Sequence, residues 1–422
     1  VLEIATVMGV KGLDDEERID SARKILGSGP KFAAFLESRG VEVPMKPSPR
    51  NPEKLTFAFA KTDQGLLALR DDPDPLVVSA VEQRMAVKSS IRATRMATFI
   101  NVGRRGLIPW PLRYAGAHTN RWSGDWGWNM QNPPKHRDAK NGIREPLRDC
   151  LEAPPGWKII AADSSQIEAR VNAWLWGQMD VVELFASGGD PYCAFATDAY
   201  GRTITKADII ERFVGKGCVL GLGFGMAAPK LKTTLKRPIG GVSVDLPLED
   251  TERLVSIYRR KNDKIKAGWN LCSRAIDAMY EGATFEFGVG ATLVATSGQI
   301  LLPSGNVLRY PDLKFEMGQY GRSYSYIDRE GKERKYIYGA KADENFVQSI
   351  ARDIVAWQGL EIMDRGWPII GNTHDELISL APEDRAEECL RDIEDCMKRT
   401  PVWAQGCPVS CEGAIASRYG DC

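Results

Sequence analysis

Three acidic residues of this sequence lie next to apolar segments that are predicted to form β-strands. Asp163 directly follows the apolar run 158–162, and Asp375 and Glu376 lie between the two apolar arms of a predicted β-hairpin. Mg²⁺ prefers oxygen ligands, and a protein usually supplies it with only one or two carboxylates. Acids at two neighbouring strand ends could therefore hold divalent cations for chemistry on a phosphate.

The segment around Asp163 is predicted to be a strand followed at once by a helix. The run 158–162 is apolar and partly β-branched, as in a buried strand, and apolar residues recur at helical spacing over 167–175. Glu168 then falls in the first helical turn. The alternative interpretation is that the Asp-Ser-Ser at 163–165 simply caps this helix. Taken alone, the stretch fits the cap better, so the metal site depends on the other segments.

A second predicted helix carries two cations on one stripe. Within residues 206–228 this stripe consists of Arg212, Lys216, Leu220 and Phe224, which recur every four residues. The same segment contains glycines at 215, 217, 221, 223 and 225. Each glycine costs about 1 kcal/mol in a helix interior, so close approach or motion must offset them. A P-loop is the competing interpretation, but Gly-Lys-Gly at 215–217 lacks the Ser or Thr of that motif.

Positive charge is concentrated in one part of the chain. The whole sequence has 56 Lys plus Arg and 56 Asp plus Glu, so only local clustering can indicate a nucleic-acid partner. Between residues 84 and 137, ten basic residues stand against the single acid Asp125. A helix predicted over 77–100 carries Arg84 and Lys88 without acidic partners four residues away, which favours contact with a phosphate backbone. An ordinary solvated helix face is the alternative.

Aromatic and amide side chains surround Arg121. The neighbouring residues are Trp122, Trp126, Trp128, Asn129, Gln131 and Asn132. Such side chains suit base stacking and groove contacts. A local core in a loop-rich segment explains the tryptophans equally well.

The rest of the chain indicates secondary structure rather than further functional residues. Residues 284–340 alternate strand-like segments with turns, and a helix follows with Gln348 and Arg352 on one side. The nine cysteines include no C-x-x-C pair, which favours reduced thiols. No apolar run reaches the roughly 18 residues of a membrane span, and the N-terminus lacks the basic start of a signal peptide. We expect a cytoplasmic protein with no membrane partner.

Together these segments resemble the family A DNA polymerases, the DNA polymerase I-like group, and most of all their phage members. The resemblance covers roughly residues 80 to 422. Its three motifs occur in order as Asp163-Ser-Ser-Gln-Ile-Glu168, Arg212-x₃-Lys216-x₇-Phe224-Gly225 and His374-Asp375-Glu376. The resemblance implies an α+β right-hand polymerase fold with an antiparallel palm sheet, helical fingers and a helical thumb. The implied parts are an N-terminal helical region and thumb at 1–100, palm at 101–176, fingers at 177–300 and palm again at 301–422.

The resemblance also implies roles for the acids and cations. Asp163 and Asp375 would hold two Mg²⁺ ions, which Mn²⁺ can replace, with Glu376 as a third catalytic acid beside them. Lys216 would be catalytic as well, because it could protonate the leaving pyrophosphate. Glu168 would close over the sugar of the incoming dNTP and exclude a 2′-hydroxyl.

The remaining implied contacts fall into two groups. The implied dNTP-binding residues are Gln166, Glu168, Tyr192, Arg212, Lys216, Leu220 and Phe224. The implied DNA-binding residues are Lys88, Arg121, Gln131, Asn132, Gln348 and His374. Four positions depart from the bacterial pattern: Ser164 and Phe224 replace Tyr, Tyr192 replaces a triphosphate-binding His, and Leu220 replaces an aromatic residue.

The expected function is a monomeric, template-directed DNA polymerase that adds dNTPs to a primer 3′-hydroxyl. Its expected partners are primer-template DNA, dNTPs and phage replication proteins, in the host cytoplasm if a phage encodes it. The chain begins at Val1, and we expect any proofreading exonuclease to lie upstream or on another chain. The alternatives are a phage-type RNA polymerase, which Glu168 disfavours, and a non-catalytic DNA-binding remnant.

Overall fold

A computed structural model describes most of the chain. The described residues are 6, 14–48, 51–60, 63–87, 90–133, 147–237, 241–318, 321–329, 331 and 333–422. They belong to two compact units, Val1–Leu107 and Ile108–Cys422, and each is described by itself. None of the helices in these ranges is long and apolar enough to cross a membrane.

The described part of the first unit is mainly helical. Its elements are α1 (Asp15–Gly27), α2 (Gly29–Ser38), β1 (Met45–Ser48), β2 (Asn51–Phe57), α3 (Gln64–Ala68), α4 (Pro75–Val87) and α5 (Ser90–Gly103). The two strands pair antiparallel. Apolar residues of α1, α2 and α4, including Leu26, Phe32 and Val81, form its core.

Arg84 of α4 does not lie on a basic surface, so its interpretation as a phosphate-backbone contact is wrong. Its side chain is buried, and the guanidinium carbon lies 4.5 Å from the ring centre of Phe32 and 4.7 Å from that of Phe59. It also donates a hydrogen bond to the carbonyl of Leu26. Lys88 lies outside the described residues.

The second unit contains the predicted motifs. It begins with β3 (Leu112–Arg113), β4 (Ser123–Gly124), β5 (Trp157–Ser164), α6 (Ile167–Trp176), α7 (Met179–Ala186), α8 (Pro191–Tyr200) and α9 (Ile209–Leu222). It continues with α10 (Ala228–Lys236), α11 (Leu248–Lys261), α12 (Asp263–Glu281), β6 (Phe285–Phe287), β7 (Leu293–Thr296), β8 (Gln299–Leu301) and β9 (Val307–Arg309). It ends with β10 (Lys314–Gly318), β11 (Gly321–Ile327), β12 (Arg334–Ile337), α13 (Gly339–Asp364), β13 (Ile369–Thr373), β14 (Glu376–Pro382), α14 (Ala386–Met397) and β15 (Cys411–Ala416).

A four-stranded antiparallel sheet carries the acids. Its strand order is β13-β14-β5-β15, so β5 lies between two strands that come much later in the chain. Helix α14 covers one face, where Ile160, Val355 and Ile393 share a core. The predicted hairpin at β13 and β14 and the predicted β-rich segment, which forms the sheets β6-β7-β8-β9 and β10-β11-β12, are both confirmed.

A second core joins three helices to the sheet β6-β7-β8-β9. Val171 of α6, Ile276 of α12 and Phe346 of α13 pack there with Leu293 of β7. Helix α13 is buried along much of its length, and its buried residues include polar ones such as Asp343, Asn345 and Asp353 as well as apolar ones. This core holds α6, the helix that follows Asp163, against the rest of the unit.

Helix α6 is not capped by the Asp-Ser-Ser segment, so the cap interpretation is wrong. Asp163 and Ser164 belong to β5, and the residue before the helix is Gln166, whose side chain makes no capping hydrogen bond. Gln166 has a left-handed backbone with φ 49°. This conformation lets the chain turn sharply from strand to helix, and Asp163 remains at the end of the strand.

The glycine-rich segment does form a helix, α9, and its glycines are explained by close packing. A Cβ atom on Gly215 would lie 2.2 Å from the backbone oxygen of Tyr192, and one on Gly217 would lie 2.6 Å from Cδ2 of Leu235. Only glycine lets α8 and α10 approach α9 this closely. Close approach therefore offsets the cost in helix propensity.

Candidate active site

Backbone pairing brings the three predicted acids together. Glu376 is the register partner of Asp163 across β14 and β5. Asp375 lies in the two-residue turn between β13 and β14, and the backbone N–H of Ser164 donates a 3.1 Å hydrogen bond to its carbonyl. Two motifs more than two hundred residues apart in the sequence thus meet at one edge of the sheet.

A cavity of 330 Å³ opens at this edge. Its lining combines the acids Asp163, Asp375 and Glu376 with Gln131, Asn132, Pro133, Arg148, Thr373 and His374. His374 has a left-handed backbone with φ 61°, and its Nε2 lies 3.4 Å from Oδ1 of Asn132. Three predicted DNA-binding residues therefore share a cavity with the predicted catalytic acids.

The carboxyl group of Asp375 is in an environment that a cation would improve. Burial raises its pKa, Glu168 adds to this effect and Arg121 opposes it. Burial also lowers the pKa of His374, and Arg121 lowers it further. A positive ion in the cavity would offset the cost of removing this carboxylate from water.

The carboxylates at this edge suit a hard cation that takes only a few of its ligands from the protein. The described residues contain no group of three or more His, Cys, Asp or Glu side chains arranged to hold a metal ion. Mg²⁺ does not need such a cage, because it usually binds one or two carboxylates and completes its octahedron with water and substrate oxygens. Asp163 and Asp375, at one edge of the sheet, match that requirement.

A larger cavity of 510 Å³ adjoins the acids through a shared residue. Asp375 lines it as well, together with the predicted dNTP-binding residues Gln166, Glu168, Leu220 and Phe224. This volume lies in the range of small-molecule sites. Gln348 is linked to the same cavity, since its Nε2 donates a 3.3 Å hydrogen bond to Glu344, another lining residue.

Glu168 and Arg121 form an ion pair with each other. The side chains are 30% and 22% exposed, respectively, and a guanidinium N–H of Arg121 donates to Oε1 of Glu168. The sequence assigned these residues to different ligands, the sugar of the dNTP and the primer-template. Their contact connects the two predicted binding regions.

Arg212 and Lys216 of α9 form a cluster with Tyr192 of α8. The guanidinium carbon of Arg212 lies 5.4 Å, and Nζ of Lys216 6.0 Å, from the centre of the Tyr192 ring. Arg212 also donates a 2.8 Å hydrogen bond from Nε to Asp190. Asp190 in turn caps α8 by accepting from the backbone N–H groups of Tyr192 and Cys193.

Asp190 stays charged in this cluster. Burial opposes its ionisation, yet the hydrogen bonds from the Cys193 amide and from Arg212 lower its pKa overall. Burial also raises the pKa of Tyr192 to about 12, so its hydroxyl keeps its proton near neutral pH.

Sequence reasoning missed three residues of this region. Asp190 was detectable, since Asp-Pro is a common start of a helix, with Asp as N-cap and Pro at the first turn. Tyr419, whose hydroxyl donates to Glu376, and the fully buried Asp343 gave no local signal. Both are recognised only through partners that lie far away in the sequence.

Comparisons with known proteins agree with these motifs. The family model for DNA polymerase family A matches residues 45–272. The DNA polymerase of Bacillus phage SP02 is 26% identical over 441 aligned residues, which cover 95% of this chain and 65% of the phage protein. DNA polymerase I of Chloroflexus aurantiacus is 29% identical over 295 residues, which cover 70% of this chain and 27% of that protein. The chain thus spans less than two thirds of both relatives.

A solved structure has the same fold. The POL domain of Pol1 from M. smegmatis, in a complex with DNA primer-template and dNTP, matches 99% of this chain and 66% of its own with a TM-score of 0.66 and 18% identity. The predicted α+β right-hand polymerase fold is thereby confirmed. Because the family match spans more than half of the sequence, the chain belongs to DNA polymerase family A.

Proposed function

We propose that this chain is a template-directed DNA polymerase that adds dNTPs to a primer 3′-hydroxyl by two-metal nucleotidyl transfer. The observation that carries the proposal is the position of Asp375. It lines one cavity with Asp163 and Glu376 and a second cavity with Glu168, Leu220 and Phe224. A phosphate held where these cavities adjoin would lie beside both the acids and a nucleotide-sized space.

Asp163 and Asp375 would hold the divalent ions. Family A polymerases generally use such ions, and we infer two Mg²⁺ here, with Mn²⁺ able to replace them. When bound, they supply positive charge to the attacking and leaving oxygens of an in-line phosphoryl transfer. The backbone pairing of β5 with β14 supports this role, because it places the acids at one sheet edge without help from flexible side chains.

The cluster on α9 would bind the triphosphate. Arg212 would exchange its contact with Asp190 for a phosphate, or contact both, since a guanidinium has five N–H donors. Lys216 lies one helical turn away over Tyr192 and would neutralise the leaving pyrophosphate and give it a proton. Holding both cations on one helix limits how far each must move to reach the nucleotide.

Glu168 would select the sugar. It lines the 510 Å³ cavity beside Leu220 and Phe224, and Arg121 holds its carboxylate. A side chain fixed in this way would leave little room for a 2′-hydroxyl. Leu220 and Phe224 would pack against the base through apolar contact, and Gln166 would contact the nucleotide from the turn before α6.

Primer-template DNA would reach the acids along the smaller cavity. Gln131, Asn132 and His374 line this cavity, and we infer that they contact the primer-template there, with Arg121 and Gln348 nearer the nucleotide. The POL domain of Pol1 was crystallised with primer-template and dNTP, which supports this choice of partners. Lys88 is proposed as a further DNA contact from the sequence alone.

Finer expectations accompany this function. We infer that residues 1–100 include the thumb, 177–300 form the fingers, and 101–176 with 301–422 form the palm. The chain would act as a monomer that interacts with phage replication proteins. If a phage encodes it, it would act in the host cytoplasm. Size-exclusion chromatography with light scattering would detect a dimer and so contradict the monomer.

Primer extension is the decisive test. The purified chain is mixed with a primed single-stranded template, Mg²⁺ and either dNTPs or rNTPs. We expect extension that depends on template and Mg²⁺ and prefers dNTPs. Extension only with rNTPs, or transcription from a duplex promoter, would replace this function with that of an RNA polymerase. Binding of primer-template without any extension would identify a non-catalytic DNA-binding protein.

A further inference from the structure

The end of the chain contacts the acids of the candidate active site. Tyr419 begins a short 3₁₀ helix, Tyr419–Asp421, that follows β15, and its side chain is 1% exposed. Its hydroxyl donates a hydrogen bond to Oε2 of Glu376. Glu376 lines the 330 Å³ cavity together with Asp163 and Asp375. A residue 43 positions away thus touches the third acid of the site directly.

The Tyr419 ring is held independently of Glu376. The Trp110 ring packs edge-on at 5.7 Å between centroids, and the guanidinium carbon of Arg148 lies 4.5 Å from the ring centre. The backbone N–H of Tyr419 donates a 2.9 Å hydrogen bond to the carbonyl of Leu151. These three contacts set the position of the hydroxyl, and the hydroxyl in turn holds the Glu376 carboxylate.

Glu376 needs such a partner because it is only 7% exposed. A buried carboxylate without a hydrogen bond is costly, and water has little access to this one. Its backbone is fixed opposite Asp163, but the long side chain retains three rotatable bonds. The hydrogen bond from Tyr419 to Oε2 restricts these bonds and so orients the carboxylate within the lining of the cavity.

We propose that Tyr419 is a positioning residue that fixes the Glu376 carboxylate beside Asp163 and Asp375 and thereby strengthens divalent-cation binding at this sheet edge. The inference deepens the proposed polymerase function and rests on it for the use of these acids. Groups that orient metal-site side chains typically change metal affinity by about 10- to 100-fold when removed. Tyr419 contacts the site through one carboxylate, which places it at the lower end of that range.

The test compares Tyr419→Phe with a matched Tyr→Phe control in the full chain. Mn²⁺ is the probe, and the free ion is counted by electron paramagnetic resonance without nucleotide or DNA. We expect the dissociation constant for Mn²⁺ to rise about tenfold in Tyr419→Phe. The control is Tyr324→Phe, which also loses a hydroxyl bonded to a carboxylate, that of Asp277 at 2.7 Å. It should bind Mn²⁺ like the unaltered chain.

Primer extension provides a second measurement of cation binding. The Mg²⁺ concentration for half-maximal rate should rise in Tyr419→Phe, whereas KM for dNTP at saturating Mg²⁺ should not change. In a Glu376→Gln background, Tyr419→Phe should have no further effect on Mn²⁺ binding. An equal loss in that background would overturn the proposal, because the hydroxyl would then act through another group.

Unchanged Mn²⁺ affinity in a folded Tyr419→Phe variant would also overturn it. If that variant does not fold, Thr373→Val takes its place, since Oγ1 of Thr373 lies 3.4 Å from the Tyr419 hydroxyl oxygen. We expect a smaller loss in the same direction, and no loss would contradict the proposal. The Mn²⁺ measurement requires no catalysis. Failure of the unaltered chain to extend a primer would therefore refute the polymerase function without affecting this comparison.

Discussion

The acids and the cations of the candidate active site are held by different kinds of contact. Asp163 and Glu376 face each other through backbone pairing of β5 with β14. Arg212, in contrast, is held by the side chain of Asp190, and Arg121 is held by that of Glu168. The backbones of Asp163 and Glu376 cannot shift without opening the sheet, and the Glu376 carboxylate is held in addition by Tyr419. Each guanidinium is held through a side chain and can exchange one oxygen partner for another.

This difference suits the proposed chemistry. Phosphoryl transfer depends on charges that are already in position, so the groups that hold ions benefit from a rigid frame. The cationic side chains that bind the incoming triphosphate must already be charged and must be able to reorient toward it. The following substitutions test this division, from the largest expected effect to the smallest.

Loss of either strand-end acid should have the largest effect. Asp163→Ala and Asp375→Ala are expected to reduce primer extension by on the order of a thousandfold or more, because each removes charge stabilisation from the transferring phosphate. Primer-template binding should be largely retained, since the sheet does not need these side chains. Steady-state extension and fluorescence anisotropy measure the two properties. Asp384→Ala, at an exposed acid, is the control, and near-normal extension by either active-site variant would remove that acid from the metal site.

The pH dependence of stability should be set in part by Asp343, a fully buried residue of α13. Burial raises its pKa to about 8, although the indole N–H of Trp176 donates to it and opposes the shift. The neutral form is favoured in the fold, so the unfolded chain loses its proton first as pH rises from the usual value of 3.8. Stability should fall between about pH 4 and pH 8 and then level off.

Asp343→Asn should remove this decline and raise the melting temperature most at the alkaline end. Thermal denaturation across that pH range measures the difference. Asp312→Asn is the control of opposite sign, because hydrogen bonding to Lys314 lowers the pKa of this exposed acid. Any small loss of stability in this variant would be present near neutral pH and would disappear as pH falls through the pKa of the carboxyl group. Parallel pH profiles for Asp343→Asn and the unaltered chain would contradict the assignment.

Close packing of the cation-bearing helix should be sensitive to one methyl group. Gly215→Ala would bring a Cβ to 2.2 Å from the backbone oxygen of Tyr192, so a helix must shift. We expect a loss of about 1–3 kcal/mol in the free energy of unfolding and weaker dNTP binding, since Arg212 lies on the same helix. Gly359→Ala is the control, because its nearest neighbour would be Cδ1 of Leu377 at 3.7 Å, an ordinary contact. Equal stability of the two variants in urea denaturation would argue against tight packing at Gly215.

Substitution of Glu168 should have the smallest effect. Two variants separate the contribution of its side-chain volume to sugar selection from that of its charge. Glu168→Ala is expected to raise ribonucleotide incorporation relative to dNTP by roughly tenfold, because a cavity opens where the 2′-hydroxyl would lie. Glu168→Gln keeps the bulk and loses the ion pair with Arg121, so its preference should change much less. The ratio of kcat/KM for dNTP and rNTP measures both. Equal ratios in the unaltered chain and Glu168→Ala would place the sugar filter elsewhere.

Much of the site was predictable because its parts are local patterns. The strand before Asp163 and the hairpin around Asp375 are apolar runs bounded by polar turns, and the four-residue spacing of Arg212, Lys216, Leu220 and Phe224 reflects the helical period. Each pattern spans fewer than twenty residues and depends mainly on nearest neighbours. The glycine-rich helix was harder, since its propensity argues against the structure it adopts and only packing on α8 and α10 explains it.

The errors came from side chains whose partners are distant in sequence. Arg84 was predicted to be an exposed cation, but Leu26, 58 residues away, and two phenylalanine rings surround it. The three tryptophans after Arg121, for which stacking and a local core were equally plausible, differ from one another. Trp128 is buried, Trp126 is 76% exposed, and the Trp122 ring packs on the buried guanidinium of Arg352. Burial of one side chain depends on how whole segments pack, and composition does not determine that.

By itself the sequence determined which residues could do chemistry and which elements carry them, since strand and helix periods and turn residues are properties of short segments. The tertiary structure alone decided how these residues are paired: Glu376 with Tyr419, Glu168 with Arg121, and Arg212 with Asp190. The physical reason is that a charged side chain can take any partner within reach. Which partner is within reach is set by the packing of segments that lie 43, 47 and 22 residues apart.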